Sequence, residues 1–183
     1  MADINVTIVP DSLSTPEAEV KAKASGGPMW DLIELLFFAY RDFVGDPDGV
    51  LENLGFGRAH HRVLHFVNRN PGMKVAELLD ILKITKQSLG RVLKQLIDEG
   101  YVTQQEGAKD RRQRLLYATA KGEQLAMQLA GLQTARIARA LAELGPRTHE
   151  QARAFLLAMI DTEDRDRVLR LIDRAERVRR VRP

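Results

Sequence analysis

Read for the spacing of its apolar positions, the chain is mostly helical, with one short interruption of a different period. Residues 30–44, WDLIELLFFAYRDFV, set Leu32, Leu35, Leu36, Ala39 and Phe43 on one helical face. Ile33, Phe37, Phe38 and Tyr40 widen that face beyond what one small core needs. The helix is therefore expected to meet its own core on one side and a partner subunit on the other; a fully internal helix is the alternative. Residues 45–57, GDPDGVLENLGFG, are rich in turn formers and predict a connector. Helical spacing resumes over 58–70, with Val63, Leu64 and Val67 inward, until Asn70-Pro71-Gly72 stops it. Met73-Lys74 fits a minimal strand. Residues 75–82 fit a short helix with Val75, Leu78, Leu79 and Leu82 inward.

The most informative run is 83–121. Thr85 is placed to N-cap a helix in which Leu89, Val92, Leu93, Leu96 and Ile97 form one apolar face. Gln87, Arg91 and Lys94 lie opposite, and Gly100 ends the helix. Residues 101–106 and 114–119 read as paired strands, with 107–113 as the tip between them. Gly90 inside the helix costs about 1 kcal/mol relative to Ala; close approach of a strand or of DNA would each account for it. Helix, short turn, helix and basic hairpin make a winged helix-turn-helix.

Residues 120–144 read as a long helix with two apolar stripes, one through Leu125, Leu129 and Leu132, the other through Ile137, Leu141 and Leu144. Gly145-Pro146 ends it, and Thr148 is expected to cap a helix reaching Ile160. The acidic break at 161–164 starts a last helix (Val168, Leu171, Ile172, Ala175, Val178) that runs into a basic tail at 177–182. The fold class is therefore mainly α with a small β-hairpin wing. Four segments are expected: a mobile arm over 1–27, with at most a turn or two of helix at 17–24; a first dimerisation helix and connector over 28–57; a winged helix-turn-helix lobe over 58–122; and C-terminal dimerisation helices with a basic tail over 123–183.

Composition narrows the choice of function. The chain has no cysteine, which excludes disulfides, thiolate metal sites and thiol redox sensing. No signal segment opens it and no apolar run is long enough to span a bilayer, so a soluble cytoplasmic protein is expected, away from membranes. The net charge of +3 is unevenly spread. Residues 58–122 hold 13 Lys and Arg against six acids, whereas 28–57 hold one arginine against six acids. Positive charge thus coincides with the winged segment, as a phosphate-binding surface requires. No nucleophile–base pair, phosphate-cradling glycine loop or carboxylate pair stands out, which argues against an enzyme.

The expected partner is double-stranded DNA. Gln87 and Arg91 suit adenine and guanine edges by bidentate geometry. Thr85 belongs to the same recognition-helix set, while Lys86, Ser88 and Lys94 flank that line and are expected to hold phosphates, with Lys109 and Arg114 of the hairpin adding to them. His60, His61 and His65 form the other cluster, and His61 and His65 share one helical face. Three readings stay open there: a metal or haem sensor, a small-ligand cleft, or hydrogen-bonded structural histidines.

Asp110-Arg111-Arg112, followed by Thr119 and Gly122, resembles the wing pattern of the MarR family of winged-helix transcription regulators. The likeness covers roughly residues 30–160, although Ala118 stands where that family usually has Leu. Within the family, the GRAHHRVLHFVNRNPG and ITKQSLGRVL segments are similar to PetP-type regulators. The N-terminal arm and the last helix are longer than a minimal member needs. The resemblance implies a homodimer on a palindromic operator, modulated by a small molecule or metal and needing no cofactor. It also implies that Asp110 pairs with Arg112 to hold the wing while Arg111 enters the minor groove.

Overall fold

The structure, a computed structural model, describes residues 27–107, 110 and 112–181. The expected arm and its turn of helix at 17–24, and the wing residues Lys109 and Arg111, lie outside the described residues. The described elements are α1 (Trp30–Glu52), α2 (Arg58–Arg69), β1 (Met73–Lys74), α3 (Val75–Leu82) and α4 (Lys86–Asp98), then β2 (Val102–Glu106), β3 (Arg114–Ala118), α5 (Ala120–Leu144), α6 (Thr148–Ala158) and α7 (Thr162–Val181). Internal packing divides the chain between Arg41 and Asp42, inside α1.

Among the described residues of the first unit is one helical segment with its large apolar side chains in solvent. Trp30, Leu35, Phe37, Phe38 and Tyr40 are all exposed, Phe37 by 69%. The Arg41 guanidinium lies 4.9 Å from the centre of the Phe38 ring.

The second unit holds the core. Val63, Leu64 and Val67 of α2, Leu78 of α3, and Leu89 and Leu96 of α4 close on Val102, Leu116, Leu125 and Leu129. The sheet order is β1-β3-β2, antiparallel throughout, with Lys74 opposite Leu115 and Glu106 opposite Arg114. At the entry of α3, Glu77 reaches back to accept the Lys74 N–H at 2.7 Å, which satisfies one orphan donor of the first turn.

Two boundaries differ from expectation. The helix predicted to stop at Val44 continues as α1 to Glu52, through Gly45, Pro47 and Gly49. Pro47 offers no N–H to the Phe43 carbonyl, so local propensity opposes this turn. Tertiary contacts override it: Val44, Pro47 and Leu51 are buried at positions i, i+3 and i+7. Asp46 accepts two bonds from Arg136 at 2.6 and 2.8 Å, and Asp48 binds Arg58. The Arg136 guanidinium holds the Asp46 carboxyl below its ordinary range. The second difference is at α6, where Arg147 is the N-cap residue and Thr148 is the first helical residue.

At the C-terminal end, Arg165 terminates α6 by donating to the Ile160 and Ala158 carbonyls at 2.9 and 2.6 Å. Phe155, Leu156 and Met159 remain exposed, as does Leu144 at the end of α5. The last helix returns to the lobe: Ala175 is buried and Arg69 donates to Glu176 at 2.7 Å.

Candidate nucleic-acid interface

The interface is built around α4. Thr85 caps it as expected, its hydroxyl oxygen accepting the Ser88 N–H at 3.1 Å while the hydroxyl donates to Ser88 Oγ at 2.9 Å. Leu89, Val92, Leu93 and Leu96 are buried, so the other side of the helix is fixed outward. Lys86, Gln87, Ser88, Arg91 and Lys94 are all exposed there. Among the described residues, Gln87 and Arg91 make no hydrogen bond or ion pair, leaving both planar heads free. Lys94 instead pairs with Asp98 one turn on. A Cβ at Gly90 would meet nothing within 4 Å. Among the described residues no strand packs there, which removes the strand explanation.

The C-terminal end of α4 is tied down by residues of α5. Gly100 takes φ +77°, a conformation that suits glycine, and Tyr101 N–H reaches the Leu96 carbonyl at 2.8 Å. Lys121 donates to the Glu99 carbonyl at 2.9 Å and its ammonium lies 4.0 Å from the Tyr101 ring centre. Thr119 works in both directions: its hydroxyl donates to the Gly100 carbonyl at 2.7 Å and accepts the Gly122 N–H at 3.1 Å. A Cβ at Gly122 would lie 2.0 Å from the Tyr101 carbonyl oxygen, which only glycine avoids. The Thr119 and Gly122 signature is thus a close helix–strand crossing. The role of Lys121 was missed in the sequence, because a lone lysine carries no signal for the carbonyl it caps.

In the wing, Gly107 N–H donates to the Gln113 carbonyl and Gln113 N–H to the Asp110 carbonyl, both at 3.0 Å. The Asp110 carboxylate accepts the Arg112 backbone N–H at 3.0 Å. The expected side-chain pairing with Arg112 is absent among the described residues, and that guanidinium is exposed. A backbone donor two residues on closes a small ring that a long side chain would have to fold back to form. Arg114 is engaged by Glu106 across the strands at 2.9 Å.

The three histidines do not converge. His60 Nδ1 accepts the Gly57 N–H at 3.1 Å and Nε2 faces Gln95 Oε1 at 2.9 Å, which sets the proton on Nε2. Its ring stacks on Phe56 at 4.8 Å. His61 and His65 share a face of α2. Burial pushes the His65 imidazole down to about 4, with His61 and Arg69 adding to the shift, and burial also lowers His61. Among the described residues no three His, Asp or Glu side chains are grouped as a metal site.

A capped helix with a free polar face, a hairpin wing and a three-stranded sheet define a winged helix-turn-helix protein. A family model described as MarR family matches residues 54–113. The transcriptional regulator PetP of Rhodobacter capsulatus is 46% identical over 129 residues, covering 70% of this chain and 78% of that one. The transcriptional regulator SlyA superposes with a TM-score of 0.61 at 21% identity, over 79% of this chain and 96% of the other. A MarR family protein of Mycobacterium tuberculosis, crystallised with p-aminosalicylic acid, gives 0.51 at 25% identity over 71% and 96%. The chain belongs to the MarR family and is a transcriptional regulator of that type. Among its described residues no helix is long and apolar enough to cross a membrane.

Proposed function

We propose that this regulator binds a palindromic operator as a homodimer, reading sequence with Gln87 and Arg91 of α4. The free face of α4 carries this reading. Two exposed side chains with bidentate heads stand beside Lys86 and Ser88, over a glycine that leaves room for a base edge. The exposed Arg112 of the wing is assigned to the same interface, and Arg111 to the minor groove. One lobe reads too few base pairs for tight specificity; a two-fold pair of lobes doubles the reading and makes the operator palindromic. The exposed apolar faces of the first unit and of α5 and α6 are assigned to the dimer contact, because faces of that size are seldom left in water.

Modulation by a small effector is the second part of the proposal. It is supported by a cavity of about 570 Å³ between α3 and α7, lined by Phe66, Ile81 and Leu171 together with Arg170 and Arg174. The related M. tuberculosis protein was crystallised with a small aromatic acid. An effector seated there would change the lobe's set relative to α7, and so the spacing of two α4 helices on DNA.

Selection of bound sequences from random DNA at two salt concentrations tests the reading. An enriched palindrome that survives the higher salt is expected. Binding that vanishes with salt and enriches nothing would overturn it.

A further inference from the structure

The last described turns of α7 carry Arg174, Arg177, Arg179 and Arg180 against a single acid, Glu176. That acid is already committed to Arg69 at 2.7 Å, with Arg179 a further 3.6 Å contact. Compensation of the helix dipole accounts for Arg179 and Arg180 in the last turn. It does not account for Arg174 and Arg177 further back, nor for where this end of the helix is docked.

The docking is specific. Ala175 is only 4% exposed, and the Arg69–Glu176 bond fixes that turn against the end of α2. Arg174 comes within 3.9 Å of Glu77, in the first turn of α3. That turn begins at the wing end of the sheet, because β1 and β3 are antiparallel with Lys74 opposite Leu115. Leu115 adjoins Arg114, where β3 leaves the hairpin tip, and α3 starts at Val75. The turn of α7 that carries Arg174 therefore stands at the end of the lobe from which the wing projects, and Arg177 and Arg180 follow it along the same helix. In a helix-turn-helix the first helix of the pair, here α3, crosses the DNA backbone. Arg177 and Arg180 are exposed and make no hydrogen bond or ion pair among the described residues.

We propose that the C-terminal end of α7 is a third DNA-contacting element, in which Arg177 and Arg180 hold phosphates flanking each half-site. This rests on the DNA-binding reading above and extends it. Such contacts add affinity without sequence information, since they meet the backbone and no base edge. They also lengthen the duplex each protomer needs for full binding.

The test titrates the full-length protein onto the selected operator by fluorescence anisotropy across a salt series. Two duplexes are used, one ending flush with the half-sites and one with flanks added. On the flanked duplex, the Arg177→Gln/Arg180→Gln variant is expected to lower the slope of log affinity against log salt by about 0.9 for each phosphate it no longer neutralises. On the flush duplex it should match the parent. Both side chains are exposed, so an unchanged melting temperature shows that the fold is intact, and Arg177→Glu should shift binding further in the same direction. A parent-like slope for both variants on the flanked duplex overturns the inference. If Arg91→Ala still weakens binding in that case, the failure belongs to α7 alone. If the parent protein has no salt-dependent affinity for DNA, the DNA reading itself fails, and this inference with it.

Discussion

The winged lobe and the segments that flank it treat their apolar residues in opposite ways. Within the lobe, Val63, Leu64, Leu78, Leu96 and Leu116 are sealed off from water by other parts of the same chain. In the first unit Trp30 and Phe37 face solvent, and so do Leu144 and Phe155 at the other end of the sequence. Apart from Leu116 in β3, all of these residues lie in helices, so secondary structure is not the difference. The lobe closes a core with its own residues. The flanking faces have apolar area to spare, and on our reading a second copy of the chain covers it.

The sharpest break of this contrast is at Gly122. A methyl group there would meet a backbone carbonyl, which cannot move aside cheaply, so Gly122→Ala should cost the lobe about 3 kcal/mol or more. Urea denaturation would measure it, and parent-like stability would mean the α5–Tyr101 crossing is looser than described. Phe37→Glu together with Phe155→Glu should do the reverse. The lobe should keep its circular dichroism while sedimentation reports a monomer; a dimer that persists would remove these faces from the subunit interface.

The pH dependence of the lobe follows from His65. Its folded value near 4 lies below the ordinary 6.5, so the unfolded chain takes up the proton first. Stability should therefore fall as pH drops from about 6.5 to about 4, by at most about 3 kcal/mol. His65→Gln should flatten that part of the profile, while the loss below pH 4.5 from Glu176 and Asp46 remains. At the surface, Arg91→Ala should cost about 1–3 kcal/mol in operator binding and relax discrimination at one base step, read by competition with single-substitution operators. Thr85→Ala is the mildest change, about 1 kcal/mol of stability from removal of one cap, visible in the same urea titrations.

The lobe was legible because its signals are local. Thr85 and Gly100 bracket α4, and its apolar positions repeat within a few residues, so cap, face and end all follow from neighbours in sequence. The extension of α1 was not legible, because Gly45, Pro47 and Gly49 argue locally for a turn. The opposing terms come from Arg136, ninety residues away, and from burial of Val44 and Leu51. The hydrogen-bonded structural reading holds for His60, but its partner was not legible, because Gln95 lies 35 residues on and no spacing rule connects them. The Asp110 interaction was misjudged in kind, since a carboxylate two residues before an N–H closes a turn more readily than it recruits a long side chain.

One side chain joins two of these stories. The Thr119 hydroxyl spans from Gly100, just past the end of α4, to the first turn of α5, and α5 is 25 residues long, or about 38 Å. In any tilt of α5 it would act as the fulcrum of a lever. A tilt of about 5° at that point carries the far end of α5 through about 3 Å. Read in the other direction, a displacement imposed near Leu144 reaches α4 as a small rotation, with a hydrogen bond on each side of the pivot and no flexible linker to absorb it.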